Sequence, residues 1–267
     1  MRCIALFILS ALALAAPARA QPVEVDVELV LMVDVSRSMS PREMEIQRRG
    51  YADALRSDEV VDAIGSGLIG QVAVTFIEWA GAHSQNTIID WRLLRTRADA
   101  EAFADDLRIG VGRALRRTSI SGALAHGSAS LAGNGYAGLR RVIDISGDGP
   151  NNTGPLVTDV RDAVVGSGIV VNGLPLMTQE GTGSRWHLAD LDLYYEACVI
   201  GGPGAFVIPV TDWDDFAGAV RRKLVLELVG RDPMIVPAQF EGYETPSYDC
   251  LAGEKMWRRS FGRDNFR

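Results

Sequence analysis

From residue 27 onward, short apolar runs alternate with stretches in which apolar residues recur every three or four positions. The runs read as strands over 27–34, 71–79, 86–91, 141–146, 168–174 and 205–210. The periodic stretches predict helices near 41–56, 97–109, 121–132, 155–166, 186–197 and 212–229. In the last of these, Trp213, Phe216, Val220, Leu224 and Leu228 share one face. Strands separated by helices call for right-handed crossovers and a mostly parallel sheet covered on both sides. The link "GAHSQN" between the second and third runs has hairpin length, so one antiparallel edge strand is expected. The pattern thus predicts a doubly wound α/β fold with six strands. From about residue 231 the periodicity stops, and 233–267, with three prolines, reads as an irregular extension packed back on the domain.

Residues 1–20 stand apart. Arg2, a short apolar block and Ala18-Arg19-Ala20 have the layout of a secretory leader, which makes 21–232 the expected domain. No later window is long and apolar enough to act as a membrane span. A periplasmic or secreted protein is the resulting expectation. Loss of Arg2 and Arg19 with the leader takes the formal net charge from −7 to about −9. No basic stripe remains that would grip phosphates, which argues against a nucleic-acid partner. Cys198 and Cys250 are the cysteines left after the leader. In an oxidising compartment they most simply pair, and a bridge closing about 50 residues contributes roughly 4 kcal/mol in the chain-entropy account; two separate buried thiols are the alternative.

The first run ends in Asp34-Val35-Ser36-Arg37-Ser38, with oxygen-bearing side chains at alternate positions. Ser40-Pro41-Arg42-Glu43 follows, a capping box with proline at the first helical position. The three oxygens therefore sit in a strand-to-helix loop at the carboxyl end of the first strand, where open parallel sheets bind ligands. Alternation turns Asp34, Ser36 and Ser38 to one side. Two further segments carry the same chemistry. Thr118 and Ser119 precede a helix, and Asp148, between Gly147 and Gly149, ends a buried strand. Only oxygen donors are on offer, which favours Mg²⁺ or Mn²⁺ over zinc or copper.

This arrangement resembles the von Willebrand factor A-type domain, a Rossmann-like fold. Its metal-ion-dependent adhesion site combines Asp-x-Ser-x-Ser after the first strand, a Thr in a later loop and an Asp after the fourth strand. Asp34, Ser36 and Ser38 match the first element. Thr118 matches the second, five residues before Ala123-Leu124, and Asp148 the third, with Gly147 where the family has Thr. The resemblance spans roughly residues 25–230. It implies that Ser36 and Ser38 ligate directly, that Asp34 and Asp148 anchor the ion, often through water, and that Thr118 joins when a partner's carboxylate is bound. "SGDGPNN", "YYEACVIGGPGAF" and "YDCLAGE" are also similar to an exported bacterial family of unknown function. That narrower resemblance implies no activity.

Asn151 and Asn152 are expected on the rim of the site, first as simple turn residues after Gly149-Pro150 and alternatively as shapers of partner contacts; the glycosylation pattern at Asn151 is read as coincidence. Gly65-x-Gly67-x-x-Gly70 follows a helix and leads into a strand, the reverse of a dinucleotide fingerprint. His83, His126 and His187 are scattered, and Asp144 reads as a satisfied polar group near a sheet edge. The expected function is a non-enzymatic, Mg²⁺-dependent module that captures an acidic side chain of a protein partner. The alternatives are a metal-dependent hydrolase of phosphate esters, for which no general base is evident, and a scaffold with a vestigial site.

Overall fold

The computed structural model describes residues 21–108, 114–178, 187–230 and 248–261. The expected leader lies outside the described residues, as do 231–232 of the expected domain and 233–247 and 262–267 of the expected extension. Strands β1 (Val23–Asp34), β2 (Val72–Trp79), β3 (Gln85–Leu94), β4 (Tyr136–Gly147) and β5 (Val170–Pro175) form one sheet in the order β3-β2-β1-β4-β5. All pairs are parallel except β2 with β3, the predicted antiparallel edge. Val25 to Val35 on β1 and its exit are buried throughout, as expected of a strand covered on both faces. Val33 pairs with Ser146, so β1 and β4 end level and their exit loops lie side by side.

The sheet has five strands where six were expected. Residues 205–210 do run beside β5, through bridges Gly173–Val207 and Leu176–Val210, but form no continuous ladder. Ile208 N and Val210 N donate to Gly173 O and Pro175 O at 3.0 and 2.9 Å, but Pro175 of β5 has no N–H to return, and the Phe206 N–H goes to the Asn172 side chain at 3.2 Å.

Helices α1 (Pro41–Arg56), α2 (Asp58–Gly65), α3 (Arg97–Arg108) and α7 (Phe216–Val229) contribute to a core on one face of the sheet. On the other face lie α4 (Ile120–Ser130), α5 (Val157–Gly166) and α6 (Leu191–Tyr194), the last running into a π-helical turn at Tyr195–Val199. The capping box of α1 is formed: Ser40 N donates to Glu43 Oε2 at 2.6 Å and Glu43 N to Ser40 Oγ at 3.2 Å. The sequence pattern missed α2, whose two turns are too short to show a period. It also missed α8 (Ala252–Phe261), which stands where irregular chain was expected. Cys198 and Cys250 form a disulfide that ties the start of α8 to the π turn.

The packing corrects the sheet-edge place expected for Asp144 and agrees with the loop reading of Gly65–Gly70. Asp144 lies on an interior strand, fully buried, with Lys223 Nζ at 2.7 Å from its Oδ1. Lys223 also meets Glu227 at 2.5 Å, so one ammonium serves two buried acids between α7 and the sheet. The Gly65–Gly70 loop wraps an internal carboxylate: Asp26 accepts hydrogen bonds from Ile69 N at 2.9 Å and Gly70 N at 2.7 Å.

Candidate functional site

Asp34 leaves β1 fully buried. Its Oδ1 accepts the Ser36 N–H at 2.6 Å, an Asx-type turn that folds the chain back on itself. From α1, Gln47 Nε2 donates to the Asp34 carbonyl at 3.1 Å and fixes the loop's exit. The Ser36 and Ser38 hydroxyls lie 2.9 Å apart, and Ser38 Oγ donates to Asp148 Oδ1 at 2.8 Å. Residues 110 positions apart in the chain thus share one hydrogen-bonded run of oxygens.

The segment carrying Thr118 is laid along the same end of the sheet by three backbone bonds. Leu115 N donates to Val35 O at 2.9 Å, Ser119 N to Ala80 O at 2.7 Å, and Asn152 N to Thr118 O at 2.9 Å. Between these anchors Arg117 adopts φ 78°, the one positive value at a non-glycine among the described residues. Such backbone costs about 1–3 kcal/mol and persists where neighbours over-determine it. Ser38, Thr118 and Asp148 line a common cleft of about 10 Å³, room for a single water.

Gly147, where the family resemblance led one to expect Thr, has a packing reason. A Cβ there would lie 2.8 Å from Tyr195 Oη, 3.1 Å from Asp34 Oδ2 and 3.2 Å from Trp79 Cζ2. Tyr195, from the π turn, fills the space a side chain would take. Asn151 is fully buried, which corrects its expected place on the rim. Its Oδ1 accepts Ser121 N and Oγ, each at 3.1 Å, and its Nδ2 donates to Glu254 Oε1 at 2.8 Å. It is a hub joining the Asp148 loop, α4 and α8, and the glycosylation pattern is out of reach. Asn152 is half-buried and accepts the Thr118 N–H at 3.1 Å. Gln47, Tyr195 and Glu254 carried no local signal in the sequence, because only the tertiary fold brings them here. His187, discounted as scattered, lines a cavity of about 530 Å³ together with Asp148.

Burial, and then the nearby Asp148 charge, raise the Asp34 carboxyl well above the ordinary carboxylate range. Burial raises Asp148 too, opposed by the Ser38 hydrogen bond and by His187. Two acids that disfavour each other's charge in this way accept a cation readily. Asp34 Oδ2 is buried with no hydrogen-bond partner. Among the described residues no group of three or more His, Cys, Asp or Glu could hold a metal. Hydroxyls must therefore supply the rest of any shell, and the donor set of two carboxylates and hydroxyls fits a hard dication.

Solved structures with this fold place the geometry in context. Proximal thread matrix protein 1 of the mussel byssus aligns with a TM-score of 0.52 and 16% identity, over 78% of this chain and 49% of that protein. A further structure of that protein is described as having a zinc-occupied MIDAS motif. The pilus adhesin SpaC of Lactobacillus rhamnosus GG aligns at 0.57 and 12% identity, over 78% and 31%. A von Willebrand factor type A protein of Catenulispora acidiphila aligns at 0.52 and 13%, over 77% and 43%. The chain therefore spans half or less of each of these proteins, and what it shares with them is the von Willebrand factor A fold. No curated protein is matched by the sequence. A family match covers residues 24–232, most of the chain, and by it this protein belongs to DUF1194, a family described as proteins of unknown function.

Proposed function

We propose that this protein is an exported, divalent-cation-dependent binding module that captures an acidic side chain of a protein partner. The observation that carries the reading is the run Ser36–Ser38–Asp148, at 2.9 and 2.8 Å, beside the unpartnered Oδ2 of Asp34. Ser36 and Ser38 would hold Mg²⁺ or Mn²⁺ directly, Asp34 and Asp148 would anchor it, and Thr118 would join when a partner is bound. When bound, the dication supplies a Lewis-acid position that an incoming carboxylate completes. The protein's own residues set the rest: Gln47 and the Ser36 N–H orient Asp34, and Asn151 holds the Asp148 loop. The adhesin and the zinc-occupied motif among proteins of this fold support the reading.

Calorimetric titration of the chain from residue 21 with Mg²⁺ and Mn²⁺ tests it. Binding lost in Asp34→Ala with the fold retained is the expected result; unchanged affinity refutes the assignment. Capture from the exported protein fraction with and without chelator then tests for a partner. The hydrolase alternative draws on His187, which stands with Asp148 in the 530 Å³ cavity as a candidate base. Metal-dependent turnover of p-nitrophenyl phosphate, lost in His187→Ala, would favour it over capture.

A further inference from the structure

The cleft at Ser38, Thr118 and Asp148 is closed on its outer side by Gly253 and Met256 of α8. The helix is fitted to two of the three site loops. A Cβ on Gly253 would lie 2.0 Å from Asn151 O and 3.1 Å from Pro150 Cβ, so the helix backbone rests directly on the Asp148 loop. Glu254 Oε1 accepts the Asn151 amide at 2.8 Å. Trp257 lies under the Arg117 guanidinium, 3.4 Å from ring centroid to Cζ, next to Thr118. Behind the helix, the Cys198–Cys250 disulfide and the Tyr194–Tyr248 ring pair, 5.9 Å apart, hold its start to the π turn.

We propose that α8 is a tethered cover over the metal site, and that capture of an acidic partner requires α8 to leave the Asp148 and Thr118 loops while the disulfide keeps it attached. This rests on the reading of the site given above. A carboxylate is larger than the one water the cleft holds, so it does not enter beside Gly253 and Met256. The cover is lightly docked. Of residues 252–260 only Gly253 is buried, and Glu254 Oε2 is enclosed with no hydrogen-bond partner. The Glu254 penalty is relieved on release, when Oε2 reaches water.

The test uses the oxidised chain from residue 21, with Mn²⁺ alone and then Mn²⁺ with acetate as probes. Water-proton relaxation reads how many exchanging waters reach the bound Mn²⁺. Gly253→Leu places side-chain atoms into the Asn151 backbone and should lift α8. The relaxation enhancement per bound Mn²⁺ is expected to rise at least about twofold, because an uncovered hard dication keeps several waters. Acetate should then lower it in the variant and leave wild type unchanged. Glu254→Ala/Trp257→Ala, which removes contacts without adding bulk, should behave alike and decides the matter where Gly253→Leu does not fold. Asp148→Ala in either background should abolish Mn²⁺ binding, which ties the signal to this site. Mn²⁺ binding with equal enhancement in wild type and variants overturns the cover and leaves the metal site standing. No Mn²⁺ binding in any of them overturns both.

Discussion

Replacement of Asp34 by Asn separates the stability of the site from its chemistry. In the metal-free protein Asp34 is fully buried, gives one oxygen to the Ser36 N–H at 2.6 Å, and has no hydrogen-bond partner at the other. Burial and the Asp148 charge hold its pKa well above the ordinary range. Folded protein thus retains a proton that the unfolded chain gives up above about pH 4. Stability is fully present below that pH and declines as pH rises toward the folded-state pKa. Asn keeps the acceptor for Ser36 and never ionises. In chelator at pH 8, D34N is therefore expected to melt at a higher temperature than wild type. At pH 4 the two should converge. With Mg²⁺ at a hundred times its Kd wild type should gain about 2.7 kcal/mol by mass action and the variant nothing. Thermal melts followed by far-ultraviolet circular dichroism, at pH 4 and 8 with chelator or Mg²⁺, read all four conditions. A variant less stable than wild type in chelator at pH 8, or one that keeps the Mg²⁺ increment, refutes the reasoning.

Three further substitutions probe the frame around the site. Lys223→Met strands Asp144 and Glu227, both at most 1% exposed, and is expected to cost about 3–5 kcal/mol in urea unfolding, while the triple variant with Asp144→Asn and Glu227→Gln should recover most of it. Burial first, with Asp144 adding to it against Lys223, lifts Glu227 from 4.5 to about 7. The native state therefore holds a proton the unfolded chain loses, stability falls as pH rises through that window, and Glu227→Gln should be relatively more stable at pH 8 than at pH 4, read from urea midpoints. Gly147→Thr meets Tyr195 Oη at 2.8 Å and Trp79, and should cost about 1–3 kcal/mol by overpacking, with part returned by Tyr195→Phe in the same unfolding assay.

The elements legible in the sequence were those whose burial is continuous or periodic. β1, β2 and the antiparallel turn into β3 could be read because apolar runs and a short polar link leave little else to form. The beginnings of β1 and β4 were placed late, since Val23 and Glu24 are exposed and Tyr136–Arg141 are exposed or half-buried, so neither stretch shows a continuous apolar run. The sixth strand failed at Pro175 of the neighbouring β5, a residue visible in the sequence whose effect depends on which segment it faces. Asp34, Ser36, Ser38, Thr118 and Asp148 were legible as loop oxygens next to strands and helices, and the level register of β1 and β4 explains why their loops meet. The cysteines pointed to an extension packed back on the domain, but nothing local marked Asn151 as a buried hub or α8 as a helix against its loop, since the Asn151–Glu254 contact spans about a hundred residues, which no periodicity encodes.

β1 is hydrogen-bonded on both sides along its length, to β2 from Val27 to Asp34 and to β4 from Val23 to Val33. The loop from Asp34 to Ser38 is thereby anchored to the part of the molecule least able to shift. Bonds to Ca²⁺ run about 2.3–2.6 Å against about 2.0–2.1 Å for Mg²⁺. A ring of donors on so stiff a mount does not dilate without displacing the middle of the sheet. If the proposed site holds a dication, the position of this one strand predicts discrimination by ionic radius, with Ca²⁺ binding more weakly than Mg²⁺ in the same calorimetric titration.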